Sequence, residues 1–193
     1  MSESGDPGTL DSRPVFRGRL LDVRVETVRY PDGSTGELEI VRHPGAAAVL
    51  PVLRAEERSD GGTSTGVILL RQYRHAAGGV IWEVPAGKLD GREAPERCAL
   101  RELREETGIA AARLQRLTTL VTTPGFTDER IHLFLATDLT FGASDREGDE
   151  FIEVRTLDLA AALDLVERGE IGDAKTVACL LLAERRLAGD GPA

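Results

Sequence analysis

The chain has 193 residues, of which 41 % are hydrophobic and 30 % are charged, and its formal net charge is −9. This composition is typical of one soluble globular domain, or of one domain with a small appendage. No stretch approaches the ~18 apolar residues of a membrane span, and the N-terminus lacks the basic and apolar regions of a signal peptide, so we expect no membrane partner. The acidic charge argues against general binding to nucleic acid.

The two cysteines, Cys98 and Cys179, lie in separate apolar stretches. Two such residues form neither a disulfide framework nor a metal-binding spacing. We therefore expect them to be reduced core residues of a cytoplasmic protein.

The N-terminal residues predict a small antiparallel unit. Residues 1–13 are polar, small and uneven, which predicts a mobile tail. Alternating or β-branched apolar residues predict a strand over 17–29, and Pro31-Asp32-Gly33 predicts a turn before a returning strand over 37–41. Residues 14–44 are therefore expected to form a hairpin-like unit outside the domain core.

The main domain is predicted over residues 45–188, with a short tail over 189–193. Residues 55–66 have the composition of a loop. Apolar runs and periodicity predict the following elements in chain order: strands over 46–53, 66–73 and 80–84, a helix over 94–107, strands over 114–122, 131–135 and 151–155, and helices over 157–168 and 174–186. This order predicts an α/β (α+β) sandwich.

The helix over 94–107 has recognisable ends. Pro95 suits a first turn, Glu96 suits the positive end of the helix dipole, and Gly108 is a natural stop. Leu100 and Leu103 follow helical spacing and are predicted on its apolar side.

Three glutamates of this helix have the spacing of a metal site. Glu102, Glu105 and Glu106 are separated by three and one positions, so they share one helix face. The like-charge pair Glu102 and Glu106 would destabilise an isolated helix by about 0.2–0.5 kcal/mol. A hard divalent cation between them would remove that repulsion, and Mg²⁺ prefers such oxygen ligands together with substrate phosphates.

Neighbouring residues support or weaken that interpretation. Arg101 precedes Glu105 by four positions and is expected to form a salt bridge with it. Glu93 is expected either to pair with Arg97 or to support the metal ligands from behind. A glycine at Gly87 would let backbone carbonyls approach a metal or a phosphate closely. The alternative is a solvated helix whose arginines and glutamates simply pair along its surface.

The segment over 87–109, GKLDGREAPERCALRELREETGI, resembles the Nudix box at every defined position. With fixed residues at roughly 7 % usage each, a chance match has a frequency of about one in a hundred million per starting point. The fixed positions are Gly87, Glu93, Arg101, Glu102, Glu105, Glu106 and Gly108. The resemblance implies a hydrolase that cuts a pyrophosphate linkage, built as a Nudix-type α/β/α sandwich with a mixed central sheet and N-terminal antiparallel strands.

Flanking segments resemble the ADP-ribose pyrophosphatase branch of that family. They are RQYRH (71–75), WEVPAGKLD (82–90) and TTPGFTDE (122–129), with Pro124 fifteen residues past the end of the box at Ile109. The resemblance spans roughly residues 16 to 187. It implies hydrolysis of ADP-ribose to AMP and ribose 5-phosphate, with GDP-mannose or another nucleotide sugar as the alternative substrate. A non-catalytic sensor of ADP-ribose is the alternative of another class, although such proteins commonly lose box carboxylates and all are present here.

The resemblance also implies roles for individual residues. It assigns the ligation of Mg²⁺, with Mn²⁺ as the alternative ion, to the backbone carbonyl of Ala86 and to carboxylates already singled out, namely Glu102, Glu105 and Glu106. Arg74 matches an arginine that contacts substrate phosphates, and it could otherwise be a surface charge on an edge strand. The resemblance further implies that Glu105 and Arg101 belong to the catalytic residues and that Gly87 belongs to the substrate-binding residues.

Other assignments leave alternatives open. The acidic loop over 144–154 is expected to supply the catalytic base, with Glu147 first and Glu150 next. Glu129 lies in a segment that resembles part of the substrate cleft, but it could equally pair with Arg130.

The N-terminal strands depart from the family pattern. The branch often carries an arginine that reaches the substrate, whereas here Leu38 stands at that position with Arg42 nearby. Phe16 and Tyr30 are candidates for stacking on adenine. The resemblance also implies a homodimer in which these strands cross between subunits.

Overall fold

The computed structural model describes residues 6–53, 56–57, 63–142 and 152–189 of the chain. The strands are β1 (Gly8–Arg17), β2 (Asp22–Arg29), β3 (Thr35–Arg42), β4 (Ala46–Pro51), β5 (Glu56–Glu57), β6 (Thr63–Ser64), β7 (Gly66–Arg74), β8 (Gly79–Glu83), β9 (Ala86–Lys88), β10 (Ile109–Val121), β11 (Arg130–Phe141) and β12 (Ile152–Asp158). The helices are α1 (Pro95–Thr107), α2 (Leu159–Glu167) and α3 (Ala174–Leu187). None of the helices in these residues is long and apolar enough to cross a membrane.

The chain divides into two compact units. We call Met1–Gly45 together with Val121–Arg130 the N-terminal unit, and Ala46–Leu120 together with Ile131–Ala193 the main unit. These boundaries place a segment from the middle of the sequence with the N-terminal strands, which the predicted division at residue 45 did not anticipate.

The N-terminal unit contains a three-stranded antiparallel sheet in the order β1-β2-β3. The tail predicted over residues 1–13 is wrong from Gly8 onward, because β1 pairs along the whole of β2. Residues 8–13, the part of β1 that overlaps the predicted tail, are mostly polar and gave no apolar alternation, whereas strand pairing itself uses backbone groups. The single strand predicted over 17–29 is also interrupted, since Gly18 N–H donates to the Leu21 carbonyl in a tight turn.

The main unit contains a mixed sheet in the order β10-β11-β4-β9. Its parallel pair is β11 with β4, whereas β4 runs antiparallel to β9. All six residues of β4 are buried, which explains why this strand reads as one apolar run rather than an alternation. A second, antiparallel sheet has the order β12-β7-β8. The mixed sheet predicted from the sequence is confirmed.

Two apolar clusters place helices on opposite faces of the strands. Ala48 and Leu50 of β4 belong to the cluster that contains residues of α2 and α3. Ala47 and Val49 alternate with them and belong to the cluster that contains Cys98, Ala99 and Leu103 of α1. This alternation creates the predicted α/β/α layering of the main unit.

Several element boundaries differ from the prediction. β10 begins directly after Gly108 rather than at residue 114, and the three-residue strand β9 was not predicted. The helix predicted from residue 157 begins at Leu159, because the Asp158 side chain accepts a hydrogen bond from Ala160 N and caps it. The strand predicted over 151–155 runs from Ile152 to Asp158, and its first predicted residue lies outside the described residues.

Candidate functional site

Helix α1 is fixed at both ends and buries one face. Pro95 occupies the first turn, and Gly108 ends the helix with φ 74°, a left-handed conformation that glycine adopts without strain. Its buried residues are Cys98, Ala99, Leu103 and Glu106. The prediction of Leu100 on the apolar side is wrong, since this residue is 36 % exposed.

Two carboxylates of α1 lie against the backbone of β9. Ala86 N–H donates to Oε2 of Glu106 at 3.0 Å, and Glu106 is 4 % exposed. A Cβ atom added to Gly87 would lie 1.9 Å from Oε1 of Glu102. The glycine therefore leaves the space that the Glu102 carboxylate occupies. The structure brings these four residues together, so two carboxylates lie beside the backbone of Ala86 and Gly87.

Arg101 connects the acidic side chains of the site. Its guanidinium donates to Glu93 through Nε at 3.2 Å and Nη2 at 3.0 Å, and to Lys88 O at 3.2 Å. Its Nη1 donates to Glu102 at 2.6 Å and to Glu105 at 3.0 Å. Hydrogen bonding to Glu93 raises the pKa of Arg101 above its usual value and lowers the pKa of Glu93. Arg101 thus offsets the repulsion among the carboxylates.

The predicted pair of Arg101 with Glu105 is confirmed by that contact. Glu93 pairs with Arg101, eight residues away, rather than with Arg97. The chain turns back before the helix, so Glu93 reaches α1 from the loop and not along one helix face. It supports Arg101, which in turn holds Glu102 and Glu105.

The two cysteines are free and buried, as predicted. Cys98 Sγ lies 3.5 Å from the Gly87 carbonyl and 3.4 Å from the Lys88 carbonyl, so its thiol links α1 to β9. Burial, together with the charge of Glu102, raises the pKa of Cys98 to about 12. Cys98 is therefore a neutral packing residue beside the carboxylates.

Arg74, at the end of β7, is held by a buried carboxylate. Its Nε donates to Oε2 of Glu83 at 2.6 Å, and Glu83 is 3 % exposed. Lys175 of α3 donates to the other oxygen of Glu83. Neither Glu83 nor Lys175 was predicted to belong to the site, although a charged residue that ends the otherwise apolar run of β8 was a signal that a partner must exist.

Two residues singled out in the sequence of the N-terminal unit, Arg42 and Glu129, belong to an ionic cluster of that unit. Arg42 donates to both carboxylate oxygens of Glu26 at 2.6 Å, and to Asp128 at 2.9 Å. Glu129 lies 3.4 Å from Nδ1 of His43 and accepts a hydrogen bond from Thr122 at 2.9 Å. Glu129 was expected either to lie in the substrate cleft or to pair with Arg130. Among the described residues its partners are His43 and Thr122, and not Arg130.

The other candidate residues of the N-terminal strands are exposed, and their positions do not distinguish a role in binding adenine from a surface role. Phe16 is 57 % exposed, Leu38 and Tyr30 are each 37 % exposed, and all three belong to the N-terminal unit. Glu147 and Glu150, predicted for the catalytic base, lie outside the described residues.

Two family models match the chain. The model described as the NUDIX domain matches residues 42–180, and the model described as the nucleoside diphosphate sugar hydrolase N-terminal domain matches residues 9–41. The boundary between these matches falls near the end of β3, close to the division between the two units.

Individual proteins give the same result. The chain is 45 % identical over 170 residues to an ADP-ribose pyrophosphatase of Bacillus subtilis, covering 87 % of each chain. It is 37 % identical over 166 residues to a GDP-mannose pyrophosphatase of Cronobacter sakazakii, covering 78 % of this chain and 82 % of the relative. The crystal structure of an ADP compounds hydrolase superposes with a TM-score of 0.78 at 25 % identity and covers 100 % of both chains. The chain therefore belongs to the Nudix family, and it is a hydrolase with the fold of that family.

Proposed function

We propose that this protein is a Mg²⁺-dependent hydrolase of ADP-ribose, with AMP and ribose 5-phosphate as products. One water molecule is consumed, and the bond that breaks joins a phosphorus to the bridging oxygen of the pyrophosphate. The observation that carries the proposal is the placement of Glu102 and Glu106 against the backbone of Ala86 and Gly87.

The residues of this site fit a divalent cation. Nudix hydrolases generally use divalent metal ions. The available donors are carboxylate and carbonyl oxygens, the hard ligands that Mg²⁺ prefers, and Mn²⁺ accepts the same set. In the described ranges no three acidic, histidine or cysteine side chains converge as a complete metal site. Two carboxylates and one backbone carbonyl, those of Glu102, Glu106 and Ala86, would hold the ion, with Glu105 beside them.

When bound, the metal supplies charge neutralisation of the pyrophosphate and a lower pKa for a coordinated water. The protein's own residues orient the participants. Arg101 holds Glu102 and Glu105 in a fixed arrangement, and the exposed part of Arg74 is suited to charge-assisted hydrogen bonds with phosphate. The absence of a side chain at Gly87 leaves room for the Glu102 carboxylate.

The base that deprotonates the attacking water is assigned to Glu147, with Glu150 as the alternative. A carboxylate suits this role because it accepts a proton within hydrogen-bond reach of the water. Glu129 remains the predicted substrate contact of the N-terminal unit.

ADP-ribose is proposed ahead of other substrates because the relative at 45 % identity is named for it. GDP-mannose is the second candidate, favoured by the relative at 37 % identity. The catalytic residues would be the same for both, and only contacts to the base and sugar would differ. A non-catalytic sensor is disfavoured because Glu102, Glu105 and Glu106 are all present.

We also propose a homodimer formed through the N-terminal unit, in a cytoplasmic protein whose two cysteines stay reduced. Apolar side chains of this unit are exposed by 57 % at Val15, Phe16 and Leu20. A second copy would remove such side chains from water, and closed two-fold dimers are the commonest assembly. Sedimentation of the wild type and of Val15→Asp tests this: a dimer that the variant converts to monomer is expected, and a monomeric wild type at micromolar concentration would contradict the proposal.

The substrate is tested by turnover of the purified protein with Mg²⁺ on ADP-ribose, GDP-mannose, a diadenosine polyphosphate, coenzyme A and a nucleoside triphosphate. Products are resolved by chromatography. We expect AMP and ribose 5-phosphate, with the highest kcat/KM for ADP-ribose. A higher kcat/KM for GDP-mannose would replace the substrate and keep the reaction class. Binding of ADP-ribose without turnover in Mg²⁺ or Mn²⁺ would establish the sensor instead.

A further inference from the structure

Glu83 is a buried carboxylate with two cationic partners in the main unit. It ends β8, and its side chain is 5 % exposed. One oxygen accepts from Arg74 and the other from Lys175. Arg74 lies nine positions before Glu83 on the neighbouring strand, and Lys175 is separated from Glu83 by 92 positions, so Glu83 links the end of β7 to the start of α3.

The geometry of the Arg74 contact fixes the direction of the guanidinium. The hydrogen bond uses Nε, the nitrogen nearest the aliphatic stem. The Arg74 side chain is 43 % exposed, so the guanidinium is open to solvent on one side while Glu83 restrains it at Nε.

The α3 side of Glu83 is itself rigid. Lys175 is 12 % exposed and also pairs with Asp173 at 3.0 Å. Asp173 caps α3 by accepting from the backbone N–H of Thr176 at 3.0 Å, and it accepts from the Thr176 hydroxyl at 2.6 Å. The Thr176 hydroxyl in turn accepts a hydrogen bond at 2.9 Å from the backbone N–H of Val84, the residue that follows Glu83 in the chain. Hydrogen bonds therefore restrain Glu83 at its carboxylate and at the peptide group that joins it to Val84.

Stability alone gives little reason for this arrangement. Burying charged groups removes their hydration, and this cost commonly equals or exceeds the attraction between the partners. What the contacts do provide is orientation, because an arginine held at Nε loses less conformational freedom when its terminal nitrogens bind an anion.

We propose that Glu83 is a positioning residue for phosphate recognition: it aims Arg74 at the pyrophosphate, and Lys175 keeps Glu83 in place. This role rests on the proposed function, in which Arg74 contacts the phosphates. It predicts that the kinetic effect of Glu83 passes entirely through Arg74.

A double-mutant cycle tests the proposal. We measure kcat, KM and thermal unfolding with ADP-ribose and Mg²⁺ for the wild type, Glu83→Gln, Arg74→Ala and the double variant. Glu83→Gln is expected to lower kcat/KM by about tenfold to a hundredfold, mainly through KM, as expected for a displaced binding group. In the Arg74→Ala background, Glu83→Gln should change kcat/KM by less than about twofold.

The control is Glu170→Gln, which removes the carboxylate partner of the exposed Arg168 in the same unit. Its kinetics should match the wild type. If Glu83→Gln does not fold, the combined variant Glu83→Gln/Lys175→Met replaces it, because it leaves no buried ammonium facing an amide.

Two outcomes would overturn the positioning role. One is a Glu83→Gln enzyme with wild-type KM, and the other is a double variant whose loss is the product of the two single losses. A wild type that hydrolyses no nucleotide sugar would instead remove the proposed function, and the positioning role with it. The wild-type assay therefore separates the two failures.

Discussion

The main unit and the N-terminal unit bury opposite kinds of side chain. The main unit buries aliphatic residues of β4, β7, α1 and α3, many of them with no exposed surface. In the described part of the N-terminal unit, the buried side chain is that of Glu26, which is 2 % exposed. One unit has an apolar core, and the other has an ionic one.

The ionic centre of the N-terminal unit is fully hydrogen-bonded. Thr9 and Ser12 each donate to Glu26 at 3.1 Å from β1, and Arg42 donates from β3. Burial alone would raise the pKa of Glu26, but the hydrogen bonds from these three residues outweigh it and lower the pKa. The carboxylate therefore joins all three strands as a charged group.

Because the two units bury different kinds of side chain, substitutions that test stability can be chosen apart from those that test catalysis. Apolar burial contributes about 25 cal/mol per Å², so the main unit has the larger driving force for folding. A three-stranded sheet without an apolar core needs covering, which agrees with the proposed dimer. Chemistry and packing meet on α1, where Leu103 faces the core and Glu106 faces β9. Substitutions can therefore address core, chemistry and ionic cluster one at a time.

The largest expected effect concerns chemistry in the main unit. Glu106→Gln should lower kcat by about a thousandfold, or about 4 kcal/mol of activation free energy, because the amide has no charge for a divalent cation. The fold should persist, since an amide oxygen can still accept from Ala86 N–H. Steady-state turnover and thermal unfolding measure the two effects, and addition of EDTA to the wild type should also abolish turnover. Glu96→Gln, on the exposed side of the same helix, is the control. Near wild-type turnover of Glu106→Gln would refute the metal assignment.

The apolar core is tested by truncation. Leu103→Ala should cost about 3 kcal/mol of unfolding free energy, because Leu103 has 0 % exposure and its removal leaves a cavity. Leu100→Ala on the same helix is the matched control, with an expected cost below about 1 kcal/mol since Leu100 is 36 % exposed. Urea unfolding followed by circular dichroism gives both values. Equal losses would show that α1 is not packed as described.

Much of the main unit was predictable because its signals are local. The period of α1, its proline and glycine ends and the unbroken apolar run of β4 each follow from short-range physics. Spacing along the helix also placed Glu102 and Glu106 on one face, and the structure brings them to the backbone of Ala86 and Gly87.

The remaining features depend on contacts that are distant in sequence. The first residues of β1, 8–13, are mostly polar and form a strand through pairing with β2. Lys175 and Glu83 are separated by 92 positions, and no periodicity connects them. The pairing of Glu93 with Arg101 depends on a loop conformation. Strand register and packing in the folded chain determine such contacts, and they cannot be read from local sequence patterns.

The ionic cluster of the N-terminal unit predicts a pH dependence. Glu26→Gln should cost about 2 kcal/mol near pH 7, because charge-assisted hydrogen bonds from Arg42 are lost. The folded-state pKa of Glu26 lies below the ordinary value of 4.5, so its contribution is present above pH 4.5 and is lost as pH falls through the folded-state pKa. The difference between wild type and variant in urea unfolding should therefore shrink below that pH. Glu39→Gln on β3 is the control, because Glu39 is exposed. A difference that does not change down to pH 3 would contradict the ionic core.

The smallest expected effect separates the site from the core at a single backbone position. Gly87→Ala would place a Cβ 1.9 Å from the Glu102 carboxylate, and the flexible end of that side chain must move. Displacing a metal ligand by about 1 Å should lower kcat by about tenfold, while the melting temperature changes little because no core atom is affected. Gly172→Ala is the matched control, since an added Cβ there meets nothing within 4 Å. Steady-state kinetics across a Mg²⁺ titration gives the decisive measurement. An increased Mg²⁺ requirement in Gly87→Ala places Glu102 at the metal, whereas lost stability with an unchanged requirement would make Gly87 a packing residue instead.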